Sequence, residues 1–321
     1  MNKVERARCV LLLAAMSLIW PVAAETRNGF DLTDSLIPAH KIHGGGPPRD
    51  GIPALTDPAH DDVKVADDWL DDDDRVMGVI IGEDAVAYPV RVLNWHEVVN
   101  DVVGGQAIAV TYCPLCGTGV VFDASYEGRR LKFGVSGLLY NSDVLLFDRE
   151  TDSLVSQLKM KGVSGPLRGV ELAPIRATTT SWAAWKKRHP RTGVLSWATG
   201  YFRDYDTDPY RLYSKTRKLM FPVKGVNRSR AHKAWAWLVL LDGKEMIVAE
   251  KLLTESREPA TGAWSAPEGV VLRYDAGARE LTVAAETAPG AVVVSGYWFA
   301  LTAFYPDAML LKKGDLKALT D

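Results

Sequence analysis

The chain has 321 residues, 38 Lys and Arg against 40 Asp and Glu, a net charge of −2 and 47% hydrophobic residues. The apolar content suits a globular core. The near-even charge balance implies no polyanion partner, and no basic stretch with interleaved aromatics suggests nucleic acid.

Residues 1–24 are laid out as a secretory signal. Lys3, Arg6 and Arg8 precede an apolar run from Val10 to Ile19 that is too short to span a bilayer, and Val22-Ala23-Ala24 offers small residues for cleavage. Cleavage leaves 35 basic and 39 acidic side chains, a net charge of −4, and removes Cys9, one of three cysteines. The mature chain is therefore expected to be exported, periplasmic or extracellular, without a later membrane span. It has no disulfide framework, since its two remaining cysteines sit in one motif.

Residues 25–60 read as an extended N-terminal leader, punctuated by Gly44-Gly45-Gly46-Pro47-Pro48 and Gly51-Ile52-Pro53. Residues 61–315 are expected to form a single domain. Six aspartates between Asp67 and Asp74 lack the alternating ligands and central Gly of a calcium loop, and read as a solvated acidic segment. Val76–Ile81 and Ala85–Val92 predict a β-hairpin, and Asn94–Asn100 predicts a short helix with Asn94 as its cap. Strands are expected at 107–112, 118–123, 131–135 and 144–148. A helix is expected at 180–189, capped by Thr180, with Trp182 and Trp185 on one face and Pro190 beyond its end. From Trp235 onward a β pattern resumes, and 235–241 with 245–249 repeats the earlier hairpin shape with weak identity. The fold class that follows is β-rich α+β, with mixed or antiparallel sheets, a few short helices and an internal β repeat.

The chemistry concentrates in Tyr112-Cys113-Pro114-Leu115-Cys116-Gly117. Two thiolates two residues apart can share a metal ion, copper or zinc by ligand type, with His96 the first candidate for a further ligand. The same pair can exchange disulfides, although the strand expected after Gly117 removes the helix N-terminus that activates such thiols. It can also form a tight structural disulfide, or be two reduced buried thiols with no role; a structural disulfide would suit a non-enzymatic binding or scaffold module of the cell envelope. No Gly-x-Ser-x-Gly, His-Glu-x-x-His or phosphate-loop motif marks a hydrolase.

Residues 45–58, 87–101, 110–123, 133–142, 199–205 and 297–300 together resemble the DUF3179 family, bacterial and archaeal proteins of unknown function. The resemblance spans roughly 30–310 and implies no activity, cofactor or protein or small-molecule partner. The chain departs from that family's usual pattern in Leu154-Val155-Ser156-Gln157, where Trp before Ser-Gln is common, and at Val248-Ala249-Glu250 in the second hairpin. Polar residues near these blocks (Arg91, Asn141, Gln157, Arg203 and Asp204) are candidates to line a pocket beside the cysteines. A salt-bridge role is expected for Arg91.

Overall fold

The structure is a computed structural model describing residues 25–255 and 262–319; the expected signal at 1–24 lies outside the described residues. It is strand-rich, with antiparallel and mixed sheets and short helices, as the sequence predicts. Among the described residues no helix is long and apolar enough to cross a membrane.

Two units share one connectivity. In the first, the hairpin Arg75–Ile81 and Asp84–Pro89 leads into helix Val90–His96 and then a meander of strands Val98–Val103, Gln106–Cys113 and Thr118–Asp123. The chain later returns through strand Ala177–Ser181, helix Trp182–Arg188 and strand Gly193–Leu195. In the second, the hairpin Trp235–Leu241 and Lys244–Ala249 leads into helix Glu250–Glu255. A meander of Ala263–Ser265, Val271–Asp275 and Glu280–Val283 follows, then the return Val292–Tyr297, Trp298–Phe304 and Met309–Leu310. In both units the return strand pairs antiparallel with the hairpin's first strand, and the last strand pairs parallel with its second. The expected internal repeat is therefore visible as topology, where identity is weak.

The units hold each other reciprocally. Arg75, first residue of the first hairpin, donates to the Ala278 carbonyl (2.5 Å) and the Arg279 carbonyl (3.1 Å) in the second unit's meander turn. Trp235, first residue of the second hairpin, lies over Gly117 in the first unit's corresponding turn. Arg188 clasps the buried Glu280 with two bonds of 2.8 and 2.7 Å. Such a bidentate pair is both strong and directional.

Only the first unit carries a long insertion between its meander and its return strand. That insertion forms a five-stranded sheet from Phe133–Tyr140, Asp143–Asp148, Leu154–Ser156 and Lys161–Gly162, closed at one edge by Ile42–Gly44 of the leader. Leu55–Thr56 adds a parallel edge to the first meander.

Several element boundaries differ from the sequence reading. The helix expected at Asn94–Asn100 begins at Val90, because Pro89 closes the hairpin strand; Asn94 lies inside it and donates to Asp208 (3.2 Å). Thr180 is a strand residue, and Ser181 caps the following helix by accepting from the Ala184 N–H. Helices interrupt the β pattern after Trp235 at Glu250, a six-residue helix that buries only Leu252 and Leu253, and at Trp298, where an almost wholly buried apolar run carries no polar face to mark helical periodicity. Trp182, Trp185, Trp237, Trp264 and Trp298 are all core residues.

Arg188→Ala leaves the Glu280 carboxylate, 5% exposed, without its cation. A loss of about 2 kcal/mol is expected, between the values for exposed and buried pairs. Urea unfolding checks it: Glu280→Gln in the Arg188→Ala background should recover more than half, and purely additive losses would show that the clasp does not couple the units.

Candidate metal centre

Cys113 ends one strand of the first meander and Thr118 begins the next, the two residues paired in register across the turn. The Cys116 N–H donates to the Cys113 carbonyl (3.1 Å), and Gly117 takes a φ of +63°, a conformation that costs side-chain-bearing residues energy. The tight reversal puts both sulfurs on one side, and strand rather than helix follows Gly117, as the sequence predicts. Both cysteines are free and buried.

The insertion supplies the facing wall. Tyr140 pairs with Asp143 across a two-residue turn in which Asn141 and Ser142 both have positive φ, +48° and +69°. That is the hairpin geometry whose twist suits the flanking strands. It aims the Ser142 carbonyl at both thiols, 3.3 Å from Cys116 Sγ and 3.7 Å from Cys113 Sγ. It also delivers the Asp143 carboxyl. One sulfur each from Cys113 and Cys116 and one oxygen from Asp143 lie within 4.8 Å of one another, and all three residues are buried. Asp143 is the site residue that sequence reasoning missed; it stands one position past the 133–142 block that carries the family resemblance.

A polar net backs Asp143. Its Oδ2 accepts from the Leu158 N–H (3.2 Å). The Thr118 hydroxyl stands 2.9 Å from Gln157 Oε1 and 3.4 Å from Asp143 Oδ1, with one proton to serve both. Gln157 Nε2 in turn donates to Thr111 Oγ1 (3.0 Å). Gln157 thus belongs to the net behind Asp143, while the Asn141 side chain turns away, its Oδ1 accepting from the Lys224 N–H (3.0 Å).

His96 is engaged elsewhere. Its Nδ1 lies 2.7 Å from the Pro53 carbonyl and its Nε2 lies 2.6 Å from the Tyr205 hydroxyl, so both ring nitrogens are occupied. Burial lowers its pKa and favours the neutral ring. The cause of this placement is local: Glu97 takes φ +58° at the helix end, and the reversal sends consecutive side chains in different directions. Glu97, not His96, turns toward the cysteines, where its charge acts on Cys113. Arg91 also departs from the pocket reading, since it pairs with Asp74 (2.8 Å), Asp71 and Asp206 and donates to the Trp69 carbonyl. Arg203 stacks toward Trp95, and the exposed Asp204 accepts from Thr207 and Asp206 within its own loop.

The electrostatics are one-sided. Burial, and then the Asp143 charge, push the Glu97 carboxyl up to about 8. Burial pushes Asp143 up to about 7 and both thiols above their ordinary value. Among the described residues no Lys or Arg pairs with Asp143 or Glu97; Glu97 is instead hydrogen-bonded by the Tyr210 hydroxyl. Raised thiol pKa values oppose disulfide exchange, which needs accessible thiolate. The donor set does fit a thiophilic cation, which would replace the protons of both thiols and of Asp143.

Residues 49–295 match a family model described as "Protein of unknown function (DUF3179)". No curated protein and no solved structure matches the chain.

A Cβ added to Gly117 would meet the Trp235 ring at 2.8 Å in addition to straining a positive φ. Gly117→Ala is expected to destabilise the fold by about 2 kcal/mol, read as a lower urea midpoint. An unchanged midpoint would show that Trp235 does not clamp the turn.

Proposed function

The chain belongs to the DUF3179 family, whose description assigns no activity, and from the site itself we propose an exported metal-binding protein that holds one zinc ion with Cys113, Cys116 and Asp143. The observation that carries this reading is the convergence of two sulfurs and a carboxylate oxygen in a buried place. The carboxylate tells between the two expected metals: a hard oxygen beside two thiolates suits zinc better than Cu(I), which prefers an all-soft set. Zinc takes such ligands in a tetrahedral arrangement, and three protein ligands leave a fourth position at which the ion can polarise a bound oxygen. In this reading Glu97, whose charge acts on Cys113, would hold a proton near the bound ion, and Ser142, Thr118 and Gln157 would keep the ligands in place.

Metal analysis of purified mature protein should find about one zinc per chain, falling below about a tenth in Cys113→Ser and Asp143→Asn, whose ligand sets are incomplete. A metal-free protein that takes up no zinc under reducing conditions would sink the proposal. A Cys113–Cys116 disulfide in the native protein, seen by mass spectrometry, would favour the scaffold reading instead.

The protonation of the site gives a second check. Asp143 and Glu97 have folded values of about 7 and about 8, above their ordinary 3.8 and 4.5. The folded, metal-stripped chain therefore holds protons that the unfolded chain has released. Their stabilising contribution is full below about pH 4 and is lost as pH rises toward about 8. The urea midpoint of stripped protein should fall from about pH 5 to about pH 8, and Asp143→Asn should flatten that fall. A dependence that Asp143→Asn leaves unchanged would mean that these groups are not paired as described.

A further inference from the structure

The chain-wide charge balance conceals a strong local imbalance. From Pro209 to Leu241 there are 33 residues with eight Lys or Arg and no Asp or Glu. At the overall frequency of 40 acids in 321 residues, about four would fall there. This segment links the two units, and it folds so that its cations gather around one cleft.

The cleft has a volume of about 810 Å³, with one wall from Ser214–Arg217 and the other from Arg228–Ala234. Lys215, Arg217, Arg228, Arg230, His232 and Lys233 line it, and no acidic residue does. Among the described residues Lys215, Arg217 and Arg228 form no ion pair. Two of the cations are held in place by the fold. Lys233 Nζ donates to the carbonyls of Tyr213 (2.5 Å), Lys218 (3.0 Å) and Thr216 (3.1 Å). Its ammonium thereby anchors the end of helix Arg211–Lys215. Arg230 lies over the Trp298 ring at 5.3 Å, and Trp298 is itself buried with its indole N–H bonded to Asn227.

Like charges drawn into one concavity repel, and a cleft of one sign concentrates field and attracts small ions of the other sign. Guanidinium groups at Arg217 and Arg228 offer fork geometry that suits both phosphate and carboxylate. We infer that this cleft binds a small organic or inorganic ligand carrying at least two phosphate or carboxylate groups. A concave site bounded by walls from two segments suits a compact ligand. The inference is independent of the metal reading, because none of the proposed zinc ligands lines the cleft.

The test is calorimetric titration of the full mature protein with pyrophosphate and with citrate, at low salt and at physiological salt, alongside anionic lipid vesicles. Saturable binding to one probe or both is expected, and comparing the two tells phosphate from carboxylate preference. Arg217→Ala/Arg228→Ala should bind about tenfold more weakly or worse, a loss readable above error in such titrations. Zinc content should not change in this variant, which separates its failure from any failure of the metal site. Lys64→Ala/Lys187→Ala, which removes the same charge from exposed positions elsewhere, should bind as the wild type does. Equal weakening in both double variants would overturn the inference, since it would reflect overall charge alone. So would the absence of saturable binding to either probe, or binding to vesicles only.

Discussion

The first strand of each unit covers the meander turn of the other, and most of the architecture depends on that exchange. Arg75 reaches into the Asp275–Glu280 turn, while Trp235 covers the Cys113–Thr118 turn. The Tyr297 N–H, at the end of the second unit's return strand, donates to the Cys116 carbonyl (2.8 Å). Arg176 and Arg188 reach across in the other direction to Ala291 and Glu280. Each unit buries part of its partner's surface, so neither turn is shaped by its own unit alone. A change under either turn is therefore felt as a change in how the halves dock.

The two turns hold equivalent positions and have diverged chemically. Cys113 pairs with Thr118 across a four-residue turn, and Asp275 pairs with Glu280 across a turn of the same length. In the second unit the acid is compensated, since Glu280 receives Arg188, and Asp275 accepts locally from the Ala278 N–H (2.9 Å). In the first unit the insertion brings Asp143 against the two thiols, and helix Val90–His96 ends so as to present Glu97. One frame thus yields a structural turn on one side and an acid-rich cluster on the other. The inserted sheet is what makes the difference.

Local features were legible in the sequence to the extent that neighbouring residues determined them. The Cys113–Gly117 reversal and the strand after it could be read because glycine, proline and β-branched residues act over a few positions. The repeat could be glimpsed from two hairpins, but its topology lies in strand order, which pairs residues far apart in sequence, such as Arg75 with Ser181 and Trp235 with Tyr297. Asp143 was hidden for the same reason: nothing near it in sequence contains sulfur, and the contact exists only after the insertion packs on the meander. His96 looked like a ligand by residue type alone. A left-handed Glu97 redirected it toward Pro53 and Tyr205, and sequence patterns carry little information about a non-glycine residue in that conformation. The basic cleft escaped notice because whole-chain charge sums average over segments of opposite sign.

Acid cluster and basic cleft lie on either side of one side chain. Tyr213 donates from its hydroxyl to the Leu115 carbonyl within the cysteine turn (3.1 Å), while its ring and its own carbonyl receive the Lys233 ammonium. The Lys233 Nζ is held on the far side of that ring by three carbonyl oxygens and the Thr216 hydroxyl of the adjoining turn. Removing four acidic groups from water without a cation is costly, and they respond by keeping their protons. That cost falls if a metal ion takes the protons' place, and a disulfide between the cysteines would leave both carboxyls still uncompensated. Among the described residues no Lys or Arg pairs with either carboxyl, and that leaves the acid cluster available to such an ion.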